Sequence, residues 1–494
     1  MKPISINMQI NALYASIFTL NILFLSTVSA QPSKIQAYLK SMDSSEAFKQ
    51  ASWGFCLLSG KDGKTLAKFQ ADKSLIPASI EKVLTTSTAF ALLGDTFRFK
   101  TSIFADGDIS TEGILNGNIV IKGGGNPVLG SQKGSNQSME AIITEFAQKI
   151  KSAGIKEIKG SLLADVSYFE YEPVPAFWTW YDIGNYYAPH INALNIGENR
   201  YELWFKTGKK EGDSTTFIRT IPFIKGLKLT NHTTTAIGGG DQTYIPGPPR
   251  AMEKHIYGKL PAGENFKVKG AIPQPEMFFL NLLKEELIKQ GIKLSVDSSQ
   301  LTVISKSITV NRELTTIYTH YSAPLSEICQ YANHASNNLV AECLVRTLGA
   351  EKGKNGSTDA GMEVIQAFVK ARMENTAGLK LVDGSGLSKY NLATPSQFAN
   401  YLFLISKEKW YNKFLATLPK SGVGGTLEKF CDGTKAEGKV IAKSGSMERI
   451  KCFAGYVKDK NGTLNPFTVM VNNQSVSNRE IVKWIEGLME RCVE

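Results

Sequence analysis

Three short stretches of the chain carry side chains that together could perform acyl transfer: Ser79-Ile80-Glu81-Lys82, Ser336-Asn337-Asn338 and Lys443-Ser444-Gly445. A serine hydroxyl is a poor nucleophile until a nearby base takes its proton. Lysine can be that base when burial and neighbouring cations lower its pKa. Lys82 follows Ser79 by one helical turn, so a helix places both on one face. Ser79 is therefore the candidate nucleophile and Lys82 its base. Lys443 brings a second amine that favours the neutral form of Lys82 and attracts a substrate carboxylate. Ser336 can hand a proton to a leaving amine, and the Asn338 carboxamide offers a donor and an acceptor to a peptide-like substrate. Backbone amides near Ser79 and on the Lys443 segment can form an oxyanion hole, worth about 3 kcal/mol per donor.

Each motif alone is weak, because the chain holds look-alikes: Ser406 to Lys409, Ser5 to Asn7, Lys206-Thr207-Gly208 and Lys420-Ser421-Gly422. Setting separates them. Ser406 lies in a charged stretch, Ser5 in a segment expected to be removed, Lys206 far upstream and Lys420 after a proline in a glycine-rich loop. Rival chemistries lack their residues. The five histidines form no HExxH pair, so no metal site and no cofactor is expected. His334 reads as a structural or solvated histidine. No GxSxG elbow occurs, and Gly123 to Gly125 and Gly238 to Gly240 read as turns rather than phosphate loops.

The elements that must position these groups follow from patterning. Trp53 to Leu58 and Thr65 to Phe69 flank a Gly-Lys-Asp-Gly turn and predict a hairpin. The apolar spacing from Val83 to Leu93, stopped by Gly94, predicts a buried helix with Ser79 at its N-terminus. The stretch between Ser79 and Ser336 is far too long for a connection within one domain, so something is inserted there. Its content predicts a mainly β insertion with helices from Met139 to Lys151 and Met277 to Gln290. Helical spacing returns after Pro324, with Ser336 within or between two pieces. Val440 to Ser446, Cys452 to Val457 and Phe467 to Val471 read as strands before a terminal helix from Ile481 to Met489. That amphipathic helix is expected to pack on the sheet rather than on a membrane.

At 494 residues more than one domain is expected. Lys2, an apolar run to Leu25 and the small-residue pattern Val28-Ser29-Ala30 predict a secretory signal peptide over residues 1–30. No later stretch is long and apolar enough to span a bilayer, so a periplasmic chain without a stable membrane anchor is expected. Six cysteines are few for this length, so disulfides need not hold the fold together. The formal charge of +11 comes from interspersed cations without a long run, which favours an anionic envelope surface over nucleic acid.

At these motifs the chain resembles the penicillin-binding proteins, and specifically the class C low-molecular-mass D-alanyl-D-alanine carboxypeptidase/endopeptidases. Gly123 to Pro127, Asp383 to Ser388, Gly424 to Leu427, Ala454-Gly455-Tyr456 and the insertion itself extend the resemblance over nearly the whole mature chain. It implies an α/β (α+β) fold: a serine β-lactamase/transpeptidase-like domain, an antiparallel sheet flanked by helices, split by the inserted domain. The expected parts are 31–95 and 313–494 for that domain and 96–312 for the insertion. It also implies acylation of Ser79 by the D-Ala-D-Ala end of a peptidoglycan stem peptide, then hydrolysis, and acylation by β-lactams.

By motif, the resemblance makes Ser79 the nucleophile, Lys82 its base and Ser336 the proton relay. Asn338 becomes a substrate-amide ligand, Lys443 with Ser444 and Gly445 the carboxylate anchor, and the amides of Ser79 and Ser446 the oxyanion hole. Trp178 to Asp182 with Tyr187 resembles the family's pocket for a substrate side chain, where Asp182 could pair with a diamino-acid ammonium; the other reading is an aromatic surface turn. Lys389 and Glu448 match pocket positions more weakly. Serine in place of threonine at position 444 keeps the hydroxyl, and Asn337 is expected to vary freely because only its neighbours have roles. A β-lactam hydrolase and a non-catalytic peptidoglycan-binding scaffold are the alternatives, and carboxypeptidase against endopeptidase preference stays open.

Overall fold

Along the strand Ile450–Lys458, side chains alternate between two cores, as a strand buried on both faces requires. Cys452, Ala454 and Tyr456 pack with Val83 and Leu84 of the helix that follows Ser79. Phe453 and Val457 pack instead with Leu39, Ile485 and Leu488. In the computed structural model, which describes residues 33–263, 265–294, 301–306 and 314–494, this strand belongs to a five-stranded antiparallel sheet. Its order is Val440–Met447, Ile450–Lys458, Leu464–Asn472, Ser52–Leu58 and Thr65–Phe69. The first and last described strands therefore meet in one sheet, with Trp53 opposite Val471. The helices Lys34–Ser44 and Asn478–Cys492 cover one face, and the terminal helix buries Ile481, Ile485, Leu488 and Met489 against it. No described helix is long and apolar enough to cross a membrane.

The inserted chain builds its own core. Its larger sheet has seven strands, including Lys100–Ile109, Ile114–Gly123 and Leu162–Asp165, and the helices Met139–Ser152 and Pro275–Lys289 bury Phe146 and Phe279 on it. This sheet is mixed: Ile119 pairs with Leu162 in parallel. A three-stranded antiparallel sheet, centred on Arg200–Lys206, and two short parallel pairs complete the insertion. Phe99 and Ser322 clasp the two crossings, each bonded to the other through backbone or hydroxyl groups at 2.9 and 3.0 Å.

The expected limit after residue 312 falls outside the described residues, as does the expected signal peptide over residues 1–30. The strand just beyond that limit, Thr315–Tyr321, pairs with Lys100–Ile109 and completes the larger sheet of the insertion. Thr315–Tyr321 is an edge strand of that sheet among the described residues. The six cysteines are buried free thiols. If the terminal helix is part of the core, Ile485→Ala leaves a cavity costing about 2–5 kcal/mol. A lowered midpoint of thermal unfolding is the expected result; an unchanged midpoint would mean the helix is dispensable.

Candidate active site

Ser79 lies in a 3-10 turn, Ala78–Glu81, that runs straight into the α-helix Lys82–Leu93. Side chains three apart eclipse in such a turn. Lys82 Nζ accordingly sits 3.0 Å from Ser79 Oγ. Two other backbones press on this turn where no side chain fits. A Cβ on Gly445 would fall 2.8 Å from Pro77 O and 3.0 Å from Ser79 N. Gly386 has φ of +74°, and a Cβ there would lie 2.0 Å from Ala78 O. Both positions demand glycine.

Lys82 is fully buried and bonds two further groups, Asn338 Oδ1 and Ser385 O, each at 2.6 Å. Both are acceptors only. A neutral amine that gives its two hydrogens to them has its lone pair left for the Ser79 hydroxyl. Burial lowers the Lys82 pKa to about 8, against the pull of Asp383, Glu342 and Glu81 in the other direction. Glu81 itself is buried with neither carboxyl oxygen hydrogen-bonded, and burial, Asp383 and Glu342 raise its pKa well above the carboxylate range. Glu342 accepts from the amides of Gly384 at 3.2 Å and Ser385 at 2.8 Å, and burial again raises it.

Ser336 takes a left-handed conformation, φ 54°, between the helices Leu325–Ala335 and Asn338–Lys352. Its Oγ accepts from Lys443 Nζ at 3.0 Å, and Lys443 also donates to Ser444 O at 2.6 Å. Burial, then Lys82 and Lys451, push the Lys443 pKa well below its ordinary value. The charges that act on Lys443 there are cations, which suits this position to an anionic group. Lys443 stands on Val440–Met447, the edge strand of the sheet. Ala442 N points away from the sheet, to Pro419 O at 3.0 Å. By the two-residue period, the amides of Ser444 and Ser446 face the same edge. Ser446 is exposed, and its hydroxyl accepts from Lys451 at 2.7 Å. The look-alike Lys420-Ser421-Gly422 only braces this strand, with Ser421 N on Val440 O at 2.9 Å.

The insertion reaches the same centre through one segment. Asn338 Nδ2 donates to Tyr187 O at 2.6 Å, and Trp178 Nε1 donates to Asp383 Oδ2 at 2.8 Å. Between them Asp182 accepts from Thr179 Oγ1 at 2.5 Å and from the Tyr187 hydroxyl at 3.3 Å. Trp180 and Tyr181 are exposed beside it, whereas Trp178 is buried. Lys389 and Glu448 are exposed and take no part in these bonds.

A family model for the D-Ala-D-Ala carboxypeptidase 3 (S13) family matches residues 35–491. The chain belongs to that family. Members of this S13 family are peptidases, and curated relatives agree with the assignment. A D-alanyl-D-alanine carboxypeptidase of Actinomadura sp. (strain R39) is 28% identical over 443 residues, covering 87% of this chain and 79% of that protein. The D-alanyl-D-alanine carboxypeptidase DacB of Haemophilus influenzae is 23% identical, covering 86% of each. The crystal structure of penicillin binding protein 4 from Haemophilus influenzae superposes with a TM-score of 0.77 at 20% identity, over 93% of this chain and 99% of that one. The fold is the transpeptidase-like domain with its insertion.

One expectation within this S13 chain needs correction. Asn337 is not free to vary: its Oδ1 caps the helix Asn338–Lys352 through Val340 N at 3.0 Å, and its Nδ2 donates to Glu198 of the insertion at 2.7 Å. Glu198 is buried and also holds Ser131 and Arg200. Sequence reasoning passed over Glu198 and Glu342, although Glu342 follows Asn338 by one helical turn and so shares its face. Asn337→Ala is expected to cost about 1–3 kcal/mol, from the lost cap and the donor withdrawn from a buried carboxyl. Asn337→Ser, which restores the cap alone, should recover part of the lost unfolding temperature; equal loss in both would discount the cap.

Proposed function

We propose that this chain is a serine-type D-Ala-D-Ala carboxypeptidase that works through an acyl-enzyme on Ser79. The observation that carries the reading is the bonding of Lys82: a buried amine with two acceptor-only partners and the Ser79 hydroxyl as its third. Ser79 Oγ attacks the carbonyl of the penultimate D-alanine while its proton passes to Lys82 Nζ. The amides of Ser79 and Ser446 receive the oxyanion. Ser336 gives its proton to the leaving amine and takes one in turn from Lys443, whose Nζ donates to it, and terminal D-alanine departs. Water then hydrolyses the ester. Lys443 and Ser444 hold the terminal carboxylate, Asn338 meets the substrate amide, and Asp182 with Tyr187 receives the diamino-acid ammonium of the stem peptide. A β-lactam follows the same first step and leaves its adduct on Ser79.

The signal-like residues 1–30 support export with cleavage before Gln31, a reading in which the enzyme works in the periplasm beside its peptidoglycan substrate. Cutting of cross-links follows from the same chemistry when the leaving amine belongs to a neighbouring stem peptide.

Purified protein should release D-alanine from a D-Ala-D-Ala peptide, and Ser79→Ala should abolish both that release and the mass shift produced by penicillin. Persistent release in the Ser79→Ala protein would sink the proposal. Muropeptides of known cross-linking, digested in parallel, report the endopeptidase share. The pH dependence has a definite sign. The base acts when neutral, so acylation should rise about tenfold per pH unit below the Lys82 pKa of about 8 and level off above it. A rate of adduct formation that is flat from pH 6 to 9 would remove Lys82 as the base.

A further inference from the structure

Two acceptors aim the lone pair of Lys82, and both are held by one segment of the insertion. The first is Asn338 Oδ1, whose carboxamide is oriented by its other end, Nδ2, on Tyr187 O at 2.6 Å. The second is the carbonyl of Ser385. That carbonyl shares a rigid peptide plane with the amide of Gly386. The Gly386 amide donates to Asp383 Oδ1 at 2.8 Å. Asp383 is fully buried and accepts from three groups of its own loop, Gly386 N, Ser388 N and Asn391 Nδ2, at 2.7 to 2.8 Å. Its remaining donor is Trp178 Nε1, at 2.8 Å, from the insertion. Trp178 is 6% exposed, so its indole is more brace than platform.

We propose that Trp178 is a positioning residue for the base: acting through Asp383 and the Ser385–Gly386 peptide, it fixes the direction in which Lys82 faces Ser79. Trp178 and Tyr187 bracket Asp182, whose carboxyl bonds Thr179 and Tyr187. A cation drawn to Asp182 competes for those bonds and so acts on the residues that set both acceptors. Recognition of a substrate side chain is then expressed in the acylation rate more than in binding, which is how induced fit converts binding into specificity.

This inference rests on the assignment of Ser79 and Lys82 as nucleophile and base. The test is acylation of the full-length protein by two β-lactams, one with a neutral and one with an amino-terminated side chain. The limiting acylation rate and the half-saturating concentration are measured separately. Trp178→Phe keeps the ring and removes the donor. It should lower the limiting rate on the order of tenfold with both compounds and leave the half-saturating concentrations within about twofold. The final yield of adduct stays at one per chain, which shows that the variant is folded. A second variant, Asp383→Asn, should slow acylation likewise, and adding Trp178→Phe to it should slow it no further, because both act through one peptide. If Trp178 were only a pocket wall, half-saturation by the amino-terminated compound alone would move; that result, or multiplicative effects in the double variant, overturns the proposal. Failure of the unaltered protein to react with either compound would instead reject the assignment of Ser79.

Discussion

A single buried amine organises this protein. Lys82 has lost its water, and in its neutral form two hydrogens go to Asn338 and Ser385, so the lone pair is left to face Ser79. A shift from 10.5 to about 8 corresponds to roughly 3 kcal/mol in favour of the neutral form. Burial thus outweighs three carboxyl groups close by. Glu81, one of the three, has no hydrogen-bond donor on its carboxyl, and burial pushes its own pKa up as well.

The amine can be placed this way because the backbone around it is packed without side chains at two points. Gly445 lets the edge strand approach the Ser79 turn, and Gly386 lets the loop from Asp383 to Ser388 approach the same turn from another side. The first contact puts the strand amides and Lys443 next to Ser79. The second puts the Ser385 carbonyl against Lys82. Each glycine therefore stands for a close approach of two backbones, and the antiparallel pairing of the last three strands holds one of those approaches fixed.

What was legible in the sequence was what local pattern encodes. The hairpin of Ser52–Leu58 and Thr65–Phe69, the helix after Ser79, the last three strands and the position of Ser336 between two helices follow from periodicity and punctuation. The three motifs could be picked out from their look-alikes because their settings differed. What stayed hidden depends on partners far away in the chain. Trp178 bonds a residue 205 positions on, and Tyr187 one 151 positions on, so nothing near either residue announces the contact. Asn337 was misread for the same reason: its cap is local, but its bond to Glu198 spans 139 positions. The parallel pairings of the insertion, likewise, leave no mark on strands of two to four residues.

The helix Asn338–Lys352 shows why the insertion is more than an appended module. Asn338, Glu342 and Arg346 follow one another at intervals of a turn and so line one face. The first two serve Lys82 and the loop that holds it. The third is a buried guanidinium that bonds the backbone of Glu170 and Glu172 in the insertion, with the Glu172 carboxyl 3.4 Å away. At the start of the helix, Asn337 reaches Glu198, again in the insertion. Burying such groups brings little net stability, but separating them strands a charge or a donor without water, at several kcal/mol. The insertion is consequently fixed by penalties for moving more than by attraction. The same helix carries the Asn338 carboxamide bonded to Lys82, so the contacts that tie the insertion to this helix also bear on the surroundings of that amine.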